Sequence, residues 1–182
     1  MTNAEIERVL TFWFADDSKP KWFESDAAFD GACHDILRPL HDRAIAGRLD
    51  HWQQSARGAL ALVILLDQAP RNLFRGQARA YASDAQARDV TKRAIGAGLD
   101  TALGKDERMF LYLPLEHSED IVDQDSACAL FAQLNDDEVL AYAERHRDII
   151  VRFGRFPHRN TALGRASTPE ELAFLSQPGS SF

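Results

Sequence analysis

Eight successive apolar residues, Ala59 to Leu66, leave a helix no polar face to turn toward water. At about 3.6 residues per turn they encircle the helix axis more than twice, so other elements must enclose it on every side. The run is far shorter than the roughly 20 apolar residues that span a bilayer. Its enclosure therefore has to come from protein. A helix is expected from about Leu49 to Gln68, with Ala69-Pro70-Arg71-Asn72 ending it, because proline lacks the N–H that the next turn requires.

The surrounding sequence supplies helices and no strands. Ile6, Val9, Leu10 and Trp13 form one stripe behind a Thr2–Glu5 capping-box spacing. From Ser25 or Asp26, a second stripe runs through Phe29, Cys33, Ile36, Leu37, Leu40 and Ala44 to Gly47, a natural residue just past a helix end. Pro39 inside that stripe predicts a kink or a split. Ser83 with Gln86 reads as a capping box for a helix that Gly96 or Gly98 ends. Further helices are expected over about 105–113, before Pro114, and over about 116–134. Asn135 with Glu138 opens one that runs to Gly154. Thr168, Pro169 and Glu171 mark the last helix start. With no period-2 runs and no linker, this is an all-α chain of about eight helices, expected as one domain over 1–182, frayed from about residue 177.

A chain of 182 residues is long enough to enclose such a helix. The formal charge of −7 and a pI near 5.3 oppose a nucleic-acid partner, which needs a basic face. Cys33 and Cys128 stand far apart among apolar helix positions and read as reduced core residues. Glu5, Glu7 and Arg8 interrupt the start before a signal-peptide core develops, so a cytoplasmic location without a membrane partner is expected. The aromatic opening, Phe12-Trp13-Phe14 with Trp22-Phe23, reads either as core packing or as the wall of a ligand pocket.

Polar residues beyond what a solvated face requires concentrate in three segments. The first holds Asp67, Arg71, Asn72 and Arg75; the second Glu116, His117 and Glu119; the third Arg155, His158, Arg159, Asn160 and Arg165. Residues 116–125 contain five acids and no lysine or arginine, whereas 154–165 contain three arginines and no acid. Arginine's planar fork pairs with carboxylate or phosphate, so two readings compete. Either the arginines pin the loop at 153–165 to those acids, or surplus positive charge lines a pocket for an anionic small molecule or peptide. His117 and His158 are the candidate acid/base residues if the site is catalytic. Ser118 beside His117 makes no nucleophile–base pair, since neighbours on a helix diverge.

Metal chemistry was weighed on Glu116, His117 and Asp120 with His146 or His158. Glu116 and Asp120 share a face of the expected helix, but His117 points about 100° away. With no His-Glu-x-x-His and no cysteine cluster, the sequence assigns no metal ligands, and it implies no cofactor.

Four separated motifs carry a family resemblance. They are Val-Leu-x-Phe-Trp-Phe near the start, Leu-Leu-Asp-Gln-x-Pro-Arg-Asn-x-x-Arg-Gly at 65–76, Leu-Pro-Leu-Glu-His-Ser-Glu-Asp at 113–120, and Phe-Gly-Arg-Phe-Pro-His-Arg-Asn with Leu-Gly-Arg at 153–165. Over about residues 5 to 175 the chain resembles the mostly bacterial proteins grouped as domain of unknown function 924. Ala69 departs from the bulky apolar residue usual there, which should matter only to packing. The resemblance implies a tetratricopeptide-like, helical-repeat fold of antiparallel helix pairs in a cytoplasmic protein, and no activity. An anion-binding helical domain is the leading expectation. A hydrolase or transferase acting on a phosphorylated or carboxylated small molecule is the second, and a protein-interaction scaffold the third.

Overall fold

The computed structural model describes residues 2–180, with side chains from Ala4 onward. Every regular element among the described residues is helical: α1 (Thr2–Trp13), α2 (Ala27–Ile45), α3 (Ala56–Val63), α4 (Ala69–Leu73), α5 (Asp84–Gly96), α6 (Lys105–Glu116), α7 (Ile121–Ala132), α8 (Asp137–Phe153) and α9 (Pro169–Leu175), with short 3-10 turns and a π-helical segment, Ile64–Gln68, between α3 and α4. None of the described helices is long and apolar enough to cross a membrane. The chain folds as two compact units, Met1–Arg75 with Arg79–Pro114, and Gly76–Ala78 with Leu115–Phe182.

In the first unit, residues 59–66 are buried throughout, as their all-round apolarity requires. α1 and α5 pack against α3, and α2 packs against α4. The aromatic opening joins this core. Trp13, Phe14 and Trp22 all meet the buried Phe110 ring edge-on, at centroid distances of 5.6, 5.5 and 4.6 Å. The Trp22 indole also donates to the Trp13 carbonyl at 2.8 Å.

The central helix starts later and ends later than its sequence suggests. Residues 50–54 form a 3-10 turn, and Ser55 caps α3 by accepting from the Gly58 N–H. A Cβ on Gly58 would stand 2.1 Å from the Trp52 carbonyl oxygen, so only glycine fits there. At the other end Pro70 does not stop the helix, which continues to Leu73 because the backbone widens into π geometry first; the Ala69 N–H bonds to Ile64, five residues back. Pro70 has no N–H to give the Leu66 carbonyl in α register, or the Leu65 carbonyl in π register. Side chains donate to both: His41 Nδ1 to Leu65 at 2.9 Å, and Ser83 Oγ to Leu66 at 2.6 Å. The Arg71 guanidinium donates to the carbonyl of Asp67.

Ser83 therefore does not make the expected capping box, since its hydroxyl is committed to Leu66, and Gln86 donates to Ile45 instead. Two other expectations shift similarly, and a third has no outcome. Pro39 leaves α2 whole, and α6 runs on through Pro114 to Glu116. The Thr2 half of the capping box at α1 lies outside the described side chains.

In the second unit α7 packs along α8. α7 begins at Ile121, behind the Asp120 cap, so Glu116 ends one helix and His117 lies in the turn before the next. Asp136 caps α8 through its carboxylate, while Asn135 adopts φ 51° just before it; the capping residue is thus one later than expected. Gly154 ends α8 in the left-handed region, and Thr168 with Glu171 completes the capping box that opens α9. Ile149, Ile150 and Phe156 form the core here, with Phe153 and Phe174 against them. Near the C-terminus, the Ser180 hydroxyl donates to the Leu175 carbonyl. Both cysteines are free thiols, Cys33 buried and Cys128 half-buried.

The proline-centred junction generates two predictions. Ser83→Asp would be harmless if Ser83 were a helix cap, but against the Leu66 carbonyl it cannot donate. It should cost at least as much as Ser83→Ala, about 1–3 kcal/mol in urea unfolding. The second concerns pH. Burial, only partly opposed by the hydrogen bond to Leu65, holds the His41 imidazole below its ordinary value of 6.5. A base with a depressed folded pKa leaves the unfolded chain binding more protons, so stability falls as pH drops below about 6.5. His41→Asn keeps a donor for Leu65 without titrating. Between pH 7 and 5 it should lose less stability than the wild type.

Candidate functional site

The first polar segment is fully partnered inside the first unit. Asp67 is buried at 0% exposure; its carboxylate accepts from Gln68 Nε2 at 2.6 Å and lies 3.2 Å from Arg71 Nη1. Arg71 also forks onto Asp84 at 3.2 and 3.3 Å. Burial disfavours its charge, but Asp67 and Asp84 outweigh burial and raise its pKa. Asn72 and Arg75 both donate to Asp30 of α2, Asn72 at 2.8 Å and Arg75 at 3.1 and 2.8 Å. Burial pushes the Asp30 carboxyl up, yet these donors hold it below its ordinary value. The acids that answer Arg71, Asn72 and Arg75 thus come from α2, α5 and the central helix itself.

The second and third segments come together in the second unit, and most of their charge ties down the loop after α8. Glu119 accepts from the Phe156 N–H at 2.8 Å and from Arg165 at 2.7 and 2.9 Å. Arg165 donates further to Asn160 Oδ1 at 3.0 Å and to the Phe156 carbonyl at 3.1 Å. Arg155 forks onto Glu171 at 2.6 and 2.8 Å, and Asn160 reaches the same carboxylate at 3.3 Å. The hydrogen bonds from Arg155 and the Thr168 N–H hold the Glu171 carboxyl down to about 2. Burial pushes Glu119 up, but Arg165 and the Phe156 N–H outweigh it and lower its pKa. Arg155, Asn160, Arg165 and Glu119 thus serve as the pin for this loop, the first of the two readings for that segment.

Glu116, His117, His158 and Arg159 remain, and the fold adds His146 from α8. The buried Phe156 ring stands among them: His146 and His158 lie at centroid distances of 5.7 Å each, and the Arg159 guanidinium lies 4.5 Å over the ring. His117 and His146 are 6.2 Å apart. Glu116, His146 and Arg159 are buried, whereas His117 and His158 are half-buried, so the cluster has a dry floor and a reachable rim. His146 Nδ1 donates to the Tyr142 carbonyl at 2.9 Å and lies 3.3 Å from Glu116 Oε1. Burial first, then the neighbouring His117, Arg159 and His158 charges, press its pKa down to about 3. Its neutral form is therefore the resting one.

The turn bearing Glu116 and His117 is held from α7. Gln124, fully buried, donates through Nε2 to the Glu116 carbonyl at 2.5 Å and the Ser118 carbonyl at 2.7 Å. Ser118 donates to Asp123 at 2.8 Å, which takes its hydroxyl away from any nucleophilic role, and Asp120 is occupied as the α7 cap. In the sequence Gln124 is passed over, Phe156 is placed only within a motif and Glu171 only in a helix cap, and His146 is offered only as an alternative metal ligand. His146 had a usable signal, because it shares the apolar stripe of Ala143, Ile149 and Ile150, where a histidine must be buried. Gln124 had none, since its role depends on where α6 ends.

The loop pin predicts a contrast between two conservative replacements. Arg165→Lys replaces a fork that makes four hydrogen bonds with a point charge, and should cost about 1–3 kcal/mol in urea unfolding. Arg75→Lys, on an exposed pair with Asp30, should cost less than about 1 kcal/mol.

Comparison with known proteins places this geometry. No functionally curated protein matches the chain. It is similar to the solved structure of a protein of unknown function, ATU0120 from Agrobacterium tumefaciens, at 47% identity over 97% of this chain and 99% of that one, with a TM-score of 0.92. The family described as "Bacterial protein of unknown function (DUF924)" matches residues 9–179. The motifs at 113–120 and 153–165 lie within that match and supply Glu116, His117, His158 and Arg159 to the cluster. The chain belongs to the DUF924 family.

Proposed function

We propose that the second unit binds a small anionic molecule, a carboxylate or phosphate compound, at the cluster of Glu116, His117, His146, His158 and Arg159. The observation that carries this reading is the gathering of His146, His158 and the Arg159 guanidinium around Phe156, with His117 beside His146 and Glu116 as the carboxylate at the floor. The Arg159 guanidinium is a permanent cation, and its burial strengthens its attraction for an anion relative to water. Arg155 and Arg165 are assigned to the loop pin, and Arg71 and Arg75 to the first unit, so the anion site draws on Arg159 alone among the five arginines.

A second reading, catalysis on the bound anion, has one observation in its favour. His117 and His158 are the half-buried imidazoles of the cluster, the ones a bound molecule can reach. They would act as acid and base, while Arg159 held the anion.

Thermal unfolding in phosphate, sulfate or citrate, with ionic strength fixed and EDTA present, tests the binding reading. A ligand selective for the native state raises Tm by mass action. The expected result is a saturable rise for at least one anion, with His158→Ala weakening apparent affinity about tenfold while unfolding stays cooperative. Arg75→Ala, whose side chain serves Asp30, should respond like the wild type. A flat response across the panel rejects the proposal.

A further inference from the structure

We infer that Glu116, His117 and His146 form a binding site for one divalent transition-metal ion. One ligand atom from each of the three lies within 4.8 Å of the others, close enough for a single ion to draw them together. Two imidazole nitrogens and one carboxylate oxygen suit zinc, manganese or ferrous iron better than calcium or magnesium, which favour sets made of oxygen alone. The sequence argued against this set by placing Glu116 and His117 on one helix. With α6 ending at Glu116, His117 sits in a turn whose backbone is free of that constraint.

Two further features are what a ligand set requires. Metal-bound histidine carries its proton on the nitrogen that faces away from the ion, usually on a backbone carbonyl. His146 makes a backbone contact of this kind, Nδ1 to the Tyr142 carbonyl at 2.9 Å. The Glu116–His117 turn is also held rigid, because Gln124 grips the carbonyls on both sides of His117. Such positioning lowers the cost of ordering a site.

Three protein ligands leave coordination positions open, and the site is independent of whether an anion also binds. Arg159 lies 4.5 Å over the Phe156 ring, against which His146 also packs at 5.7 Å, so its charge stands beside the site and opposes a second cation. An anion placed between metal and arginine would relieve that opposition. Metal and anion should therefore bind cooperatively, each raising the other's affinity by the same factor.

The test uses the full chain, stripped with EDTA and dialysed. Isothermal titration with zinc, manganese and ferrous salts, the last under anaerobic conditions, should show one site per chain for at least one metal. Cobalt should bind and give visible absorption bands of nitrogen and oxygen coordination. His117→Ala, a change in the accessible turn, should weaken binding at least tenfold while the protein stays folded. Glu116→Gln should act likewise, and if it fails to fold, His117→Ala and the cobalt spectrum decide alone. Metal binding that is absent, or unchanged in His117→Ala, overturns the inference. The anion titration in EDTA reads the anion site without metal, so either proposal can fail while the other stands.

Discussion

A single missing N–H, that of Pro70, falls within the most deeply buried helix of the first unit, where no water is at hand to replace it. Carbonyls in that setting need donors, and leaving one bare costs about as much as the net gain of one or two good hydrogen bonds. The π-helical segment moves the deficit onto Leu65 and Leu66, and His41 and Ser83 meet it from α2 and from the residue before α5. The proline thus turns a defect in one helix into cross-links with two others. The same neighbourhood buries Asp67 and Asp84 on either side of the half-buried Arg71, and the acids' charges are tolerable only because that guanidinium answers them. The polar residues of this segment are partnered around the buried proline, Arg71 with Asp67 and Asp84, and Asn72 and Arg75 with Asp30.

The second unit solves a different problem, a 15-residue stretch between α8 and α9 that carries three arginines. Glu119 and Glu171 absorb two of them, each through a bidentate fork, and the backbone of Phe156 is gripped on both its N–H and its carbonyl. That grip fixes where Phe156 lies, and Phe156 in turn organises His146, His158 and Arg159. The structural pin and the candidate site are therefore successive layers of one arrangement. The charge complementarity between 116–125 and 154–165 builds the pin, and what the pin leaves over builds the site.

How much of this could be read from the chain varies with the range of the interaction involved. Local chemistry was legible: the enclosed helix at 59–66, the Asp26 cap, Gly47 and Gly154 past helix ends, and the Thr168–Glu171 capping box all depend on residues a few positions apart. So were the acid-rich and arginine-rich segments that meet around Glu119. Prolines 39, 70 and 114 were misread as breaks, because a proline's effect depends on what else can satisfy the carbonyl it abandons, and that partner is distant in sequence. Ser83 shows the same limit. Its spacing to Gln86 is that of a cap, yet a buried carbonyl 17 residues back makes the stronger claim on its hydroxyl.

By itself, the sequence determined that the chain is all-helical, which segments are charged, and which residues must be buried, because periodicity and capping act within a turn or two of helix. Only the tertiary structure decided which of those polar residues pin the fold and which gather in the candidate site. Every arginine and carboxylate looks equally available in a linear chain. Pairing is settled by distances across helices, as when Glu119 goes to Arg165 while Glu116 faces His146. Glu116 and Glu119 are three residues apart in sequence, and the end of α6 between them sends one carboxylate to the loop and the other to the cluster.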